Sequence, residues 1–181
     1  MRITSGILKN RRLKTLEAEF RPTKESVREA VFSSLGGSCD GLHVLDLYAG
    51  TGSLGLEAWS RGAKHVSFVE KQKILIDQLS QNIQVMRNDS LGTTDVIFAD
   101  VCAWLKKNII SYDIIFADPP YNEEDTFINT LDAIEQNSSL SSTGCVVYEL
   151  RYTQNIPLVK SWNIIKEKRY GKTKILMLKR I

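Results

Sequence analysis

The chain has 181 residues, 43% of them hydrophobic and 25% charged, with a net charge of +3. This composition fits one α/β domain with a small extension and excludes a disordered chain. No apolar run nears the roughly 18–20 residues needed to cross a bilayer, and Met1-Arg2-Ile3-Thr4-Ser5-Gly6 holds no apolar signal core, so a cytoplasmic protein free of membrane is expected.

The charge is unevenly spread. Residues 1–28 carry eight Lys/Arg against three acids, and residues 160–181 carry eight against Glu167, so two basic ends (+5 and +7) flank a middle of −9. Such ends attract a polyanion and suggest nucleic acid as partner; the competing reading is a pair of merely solvated termini. Arg2-Ile3-Thr4 and Arg12-Leu13-Lys14-Thr15-Leu16 read as short strands of a basic hairpin whose register the pattern leaves open. Pro22 then holds Arg21 extended, and Thr23 offers an N-cap. Val27, Ala30, Val31 and Leu35 recur at helical spacing, which predicts an amphipathic helix over 24–35 showing Lys24 and Arg28 on its exposed face. Gly36-Gly37 ends it and divides a basic extension, residues 1–37, from a main domain, residues 38–181.

From residue 43 onward, strands are expected near 43–48, 65–70, 94–99 and 112–117, alternating with helices near 53–61, 72–87, 101–108 and 124–136. A fifth strand at 145–149 follows a Ser138–Gly144 loop, and 161–170 with 173–179 form a hairpin turning at Gly171-Lys172. Regular alternation implies a parallel, Rossmann-like α/β sheet with ligands bound beyond the carboxyl ends of its strands. The closing hairpin resembles the seven-stranded sheet of methyltransferases. Gly50-Thr51-Gly52-Ser53-Leu54-Gly55 is a nucleotide-binding strand–turn–helix fingerprint, its glycines admitting a ligand that a Cβ would push away. Glu70 ends the next strand, where an acid meets a ribose. Asp46, four residues before Gly50, decides the ligand's charge: it would repel a pyrophosphate and attract the ammonium of S-adenosylmethionine. The alternative is that Asp46 caps the turn.

Asp118-Pro119-Pro120-Tyr121, at the end of the fourth strand, is more specific. Two prolines stiffen the loop and remove two backbone donors. Asp118 and the Pro119 carbonyl can then accept both hydrogens of an exocyclic amine while a base stacks on Tyr121. An aromatic amine is a poor nucleophile because its lone pair is delocalised, and holding both N–H groups on acceptors aims that lone pair at a methyl carbon. Asp100 is placed either to meet an adenine amine or to N-cap the next helix. His43 and His65 read as structural, Trp59, Trp104 and Trp162 as packing residues. The isolated Cys39, Cys102 and Cys145 give no metal or disulfide pattern, and no Ser-His-Asp set is present.

Leu45–Ala58 (LDLYAGTGSLGLEA) with Ser60-Arg61-Gly62-Ala63, Arg21–Ala30 (RPTKESVREA), Asp118–Tyr121 and Tyr170-Gly171-Lys172-Thr173 together resemble the bacterial RsmD-type 16S rRNA guanine-N2 methyltransferases. The resemblance spans essentially the whole chain, and the Arg-Pro-Thr block discriminates best. It implies methyl transfer from S-adenosylmethionine to the N2 amine of one guanine in 16S rRNA of the small ribosomal subunit or an assembly intermediate, by a monomer without metal. It implies a cofactor held by Asp46, Tyr48, Gly50, Gly52, Glu70, Lys71, Asp100 and Val101, and a flipped base held by Asp118, Pro119, Pro120 and Tyr121. RNA would meet Arg2, Lys9, Arg11, Arg12, Arg21, Lys24, Arg28 and Lys172. Asn10 stands where relatives commonly have glycine, and Lys172 where an acid is common; both lie outside the chemistry. Other amine acceptors (DNA adenine, another RNA guanine, a protein glutamine) share the Asp-Pro-Pro-Tyr type of loop, and only the chain ends separate them. A NAD-dependent oxidoreductase would need a hydride site, and a non-catalytic RNA-binding module would leave 118–121 without a role.

Overall fold

Apolar runs and helical periods alternate along the chain, and the backbone follows them. The computed structural model describes residues 1–14, 25–120 and 125–181. Helix α1 (Glu25–Ser34) precedes β1 (His43–Leu47), α2 (Ser53–Ser60), β2 (His65–Glu70), α3 (Lys73–Met86), β3 (Thr93–Phe98), α4 (Val101–Leu105), β4 (Tyr112–Ala117), α5 (Thr126–Gln136), β5 (Leu140–Arg151), β6 (Trp162–Tyr170) and β7 (Thr173–Arg180). One seven-stranded sheet results, of order β3-β2-β1-β4-β5-β7-β6. β1 to β5 run parallel, while β7 lies antiparallel between β5 and β6. The expected α/β sheet with its closing hairpin is therefore the fold.

Side chains alternate across the sheet. Val44, Phe68, Ile114 and Phe116 face one apolar cluster with α1, α2 and α3, while Leu45, Leu47, Ile115 and Ala117 face a second with α4 and α5. This alternation turns Asp46 toward α2. Ile3, Leu8, Leu13, Val27, Val31 and Phe32 share the first cluster with the sheet, so the core is continuous across residue 37. The N-terminal segment closes on itself through one bridge, Arg2 to Arg12, with Ile3 N–H donating to the Arg11 carbonyl at 2.9 Å.

Three expectations are corrected. β5 begins at Leu140, which pairs with Tyr112; the pairing then jumps to Ile114–Cys145, so the polar Ser141–Gly144 run bulges within the strand. α4 stops at Leu105, and Asn108 organises the exit by donating from Nδ2 to the Ile110 carbonyl and the Ser139 hydroxyl. Arg28, expected on an exposed face, is fully buried. Its Nε donates to Glu57 Oε2 at 3.0 Å, and Nη2 donates to the Arg2 carbonyl.

Candidate active site

Strand order reverses between β1 and β4, the point where an open α/β sheet forms its ligand crevice. Leu47 pairs with Ala117, so the glycine turn after β1 and the Asp118 loop after β4 leave the sheet at one level. Across four adjacent strands (β3, β2, β1, β4) the carboxyl ends carry Asp100, Glu70, Asp46 and Asp118. At about 4.8 Å per strand this acidic row spans roughly 14 Å. It suits a ligand rich in donors or positive charge and opposes a pyrophosphate.

The turn from β1 into α2 is strained. Tyr48 (φ 57°) adopts a left-handed backbone, rare for a bulky residue. Its hydroxyl is tied to Thr130 Oγ1 of α5 at 2.8 Å, and burial raises its pKa above the usual phenol value. Glu70 holds the turn from below: Oε2 accepts from Gly50 N–H at 2.9 Å and Oε1 from Gln72 N–H at 2.8 Å. One carboxylate thus joins the glycine turn to the start of α3. Roughly two of its four acceptor sites stay open to a ligand hydroxyl.

Asp46 performs the capping alternative. Its Oδ2 accepts from Gly55 N–H at 2.8 Å, satisfying a first-turn donor of α2, whose N-cap Gly52 has no side chain to offer. Burial pushes the Asp46 carboxyl up to about 8, Gly55 N–H pulls it down, and the Glu70 charge adds to the rise. A cationic ligand group beside it would favour the ionised form. Asp100 likewise serves as N-cap, accepting from Ala103 N–H at 2.9 Å through Oδ1 while remaining exposed. Lys71 is exposed; the Val101 side chain packs in the core, leaving its backbone to the site.

The glycines divide in role. A Cβ on Gly52 would lie 2.4 Å from Leu79 Cδ1, and one on Gly55 2.2 Å from Phe68 Cε1. Both make room for the protein's own packing. A Cβ on Gly50 would meet only the Tyr48 carbonyl, at 3.9 Å, so the open space is there.

Asp118 is partly buried, Pro119 buried and Pro120 exposed at the end of β4. Tyr121, Arg21 and Lys24 lie outside the described residues. Arg2, Lys9, Arg11, Arg12 and Lys172 are exposed, whereas buried Arg28 cannot meet a phosphate. Arg2 also pairs with Glu25 at 3.2 Å.

The pattern missed the centre that fixes Arg28. Buried Glu57 of α2 accepts from Thr4 N–H, Thr4 Oγ1, Ser5 N–H, Arg28 Nε and Arg61 Nε, all within 2.7–3.0 Å. The available signal was a lone acid inside the otherwise small and apolar helix Ser53–Ser60. Among the described residues no group of His, Cys, Asp or Glu could hold a metal, and no helix is long and apolar enough to cross a membrane.

Residues 1–179 match the family described as Conserved hypothetical protein 95. The chain is 32% identical over 174 residues to ribosomal RNA small subunit methyltransferase D of Haemophilus influenzae, covering 94% of this chain and 89% of that protein. To the Escherichia coli K12 protein of the same name it is 28% identical over 173 residues, 94% and 85% of the two chains. The solved structure of YhhF from Escherichia coli is similar with a TM-score of 0.88 at 27% identity, over 99% of this chain and 97% of that one. The structure of HI0767 from Haemophilus influenzae gives 0.82 at 28%, over 99% and 98%.

Proposed function

Since this chain belongs to the RsmD-type methyltransferase family, we propose that it transfers a methyl group from S-adenosylmethionine to the exocyclic N2 amine of a guanine in 16S rRNA. When bound, that cofactor supplies an activated methyl group on a sulfonium sulfur. The row Asp100, Glu70, Asp46 and Asp118 supports the choice, because each acid can accept a donor, and the buried Asp46 carboxyl ionises favourably beside a cation but not beside a pyrophosphate. Asp100 and the Val101 backbone would meet the adenine, Glu70 the ribose, and the open face at Gly50 with Tyr48 and Lys71 the remaining length. Asp46 would balance the ammonium through the same carboxyl that caps α2.

The observation that carries the reading is the level pairing of Leu47 with Ala117, which brings the glycine turn and Asp118-Pro119-Pro120 to one crevice. Asp118 and the Pro119 carbonyl accept the two N–H groups of the target amine, aim its lone pair at the methyl carbon, and exclude water from that contact. Asp118 is also the acceptor for the proton the amine sheds after transfer. Tyr121 would stack on the flipped base. The exposed Arg2, Lys9, Arg11, Arg12 and Lys172, with Arg21 and Lys24, would hold RNA phosphates.

Labelled S-adenosylmethionine, the protein and small subunits lacking the modification, followed by nucleoside mass spectrometry, test this. N2-methylguanosine at one site is expected, lost in Asp118→Ala with S-adenosylhomocysteine affinity retained. Label on another nucleoside, or on protein, would replace the acceptor; full turnover by Asp118→Ala would remove Asp118 from the chemistry.

A further inference from the structure

The base loop needs a neighbour that holds the RNA beside the target, and the N-terminal hairpin tip docks at the end of α2 remote from the glycine turn. Ile7 N–H and Leu8 N–H donate to Ser60 O and Oγ at 2.8 and 2.9 Å, at the far end of α2. Eight helical residues put that tip about 12 Å from the glycine turn.

A different basic group stands beside the base loop. β5 neighbours β4 with Ala117 level with Tyr148, and Arg151 pairs with Thr173 of β7. Tyr152 and the hairpin turn Gly171-Lys172 therefore leave the sheet at the same end as Asp118. Tyr152 N–H donates to the Lys172 carbonyl at 2.8 Å, Gln154 N–H to the Arg151 carbonyl at 3.0 Å, and buried Lys174 Nζ to the Gln154 carbonyl at 2.6 Å. The loop is thus pinned on both sides, yet Tyr152 is 43% exposed.

The Arg169 guanidinium lies 3.6 Å from the Tyr152 ring centroid, and its Nε donates to the Gly171 carbonyl at 2.9 Å. Among the described residues no carboxylate pairs with it. A planar cation stacked on a planar ring and oriented by a backbone carbonyl keeps its remaining N–H groups for an outside acceptor. Residues 163–169 of β6 are exposed throughout, and exposed Lys172, whose carbonyl holds Tyr152 N–H, lies beside the pair, while Lys168 turns to the other face of β6 with its Nζ 5.3 Å from the Tyr170 ring.

We propose that Tyr152 and Arg169 form a stacking platform for a nucleotide flanking the target base, with Lys172 on its phosphate. The platform rests on the RNA reading above. It complements a polyanion that presents flat bases, which a salt-bridged edge strand would not.

The test uses the full chain and small subunits lacking the modification. Tyr152→Leu should raise KM, and the Kd for the subunits, roughly 5- to 150-fold, with unchanged affinity for S-adenosylhomocysteine. Tyr152→Phe should restore most of the loss. Arg169→Gln should weaken binding and lower the salt slope by about one. Arg169→Lys should keep the slope but not the affinity. Subunit binding by Tyr152→Leu and Arg169→Gln equal to that of the unchanged protein would overturn the platform, as would a loss of thermal stability alone. Absence of methyl transfer and subunit binding by the unchanged protein would instead remove the RNA reading beneath it.

Discussion

Asp46→Asn separates the two things asked of one buried carboxyl. Burial raises its pKa from 3.8 to about 8 in the folded chain. Between those values the folded protein keeps a proton that the unfolded chain releases. The associated stability is fully present below about pH 4 and is lost as pH rises through 8, by about 1.4 kcal/mol per unit. By pH 7 the loss is about 4 kcal/mol, a large share of a typical total of about 5–15 kcal/mol. Asparagine does not titrate, and its Oδ1 can still accept from Gly55 N–H. Urea unfolding should therefore show Asp46→Asn gaining on the unchanged protein from about pH 5 to 8, by roughly 4 kcal/mol over that range. Parallel pH profiles would refute the burial argument. Ligand binding gives a second arm, because an ammonium beside Asp46 favours the ionised form. S-adenosylhomocysteine should displace a proton from the unchanged protein near pH 7 and none from Asp46→Asn, measured by calorimetry in two buffers. Proton-neutral binding to the unchanged protein would put the ammonium elsewhere.

Glu57→Ala takes the carboxylate away from the buried Arg28 guanidinium, so a loss of about 3–5 kcal/mol is expected in urea unfolding, with residues 1–14 becoming protease-sensitive. An unaltered midpoint would show that the N-terminal segment is docked by apolar contacts alone. Gly55→Ala sets a helix-propensity gain of about 1 kcal/mol against a Cβ placed 2.2 Å from buried Phe68 and 2.9 Å from Asp46 Oδ2. Overpacking costs about 1–3 kcal/mol, so net destabilisation and weaker S-adenosylhomocysteine binding are expected; a rise in Tm would reverse that ranking. Replacing exposed Arg11 and Arg12 by Glu should weaken rRNA binding and flatten its salt dependence. An unaltered slope in filter-binding titrations would take both residues off the RNA.

Strands, turns and the loops that follow β1 and β4 were legible because their signals are local: apolar runs, glycine punctuation, a double proline. Arg28 was not. Helical spacing sends a lone arginine to solvent unless its partner is known, and Glu57 lies 29 residues away on another helix. The glycine fingerprint was legible as a turn but not as a division of labour, since only the packed chain reveals Leu79 against Gly52 and Phe68 against Gly55. The Ser141–Gly144 run has loop composition, and only pairing of Leu140 with Tyr112 makes it a bulge.

The sequence also posed Asp46 and Asp100 as choices between capping and ligand binding, and the structure explains why composition could not choose. Asp46 holds Gly55, Glu70 holds Gly50 and Gln72, and Asp100 holds Ala103, each through a backbone N–H at a strand end. A carboxylate offers about four acceptor sites, and these use one or two. The acids that shape the crevice thus keep capacity to face a ligand within it. Capping and binding are then two uses of one charge, and a ligand that engages the remaining sites would tighten the turns that form its own pocket.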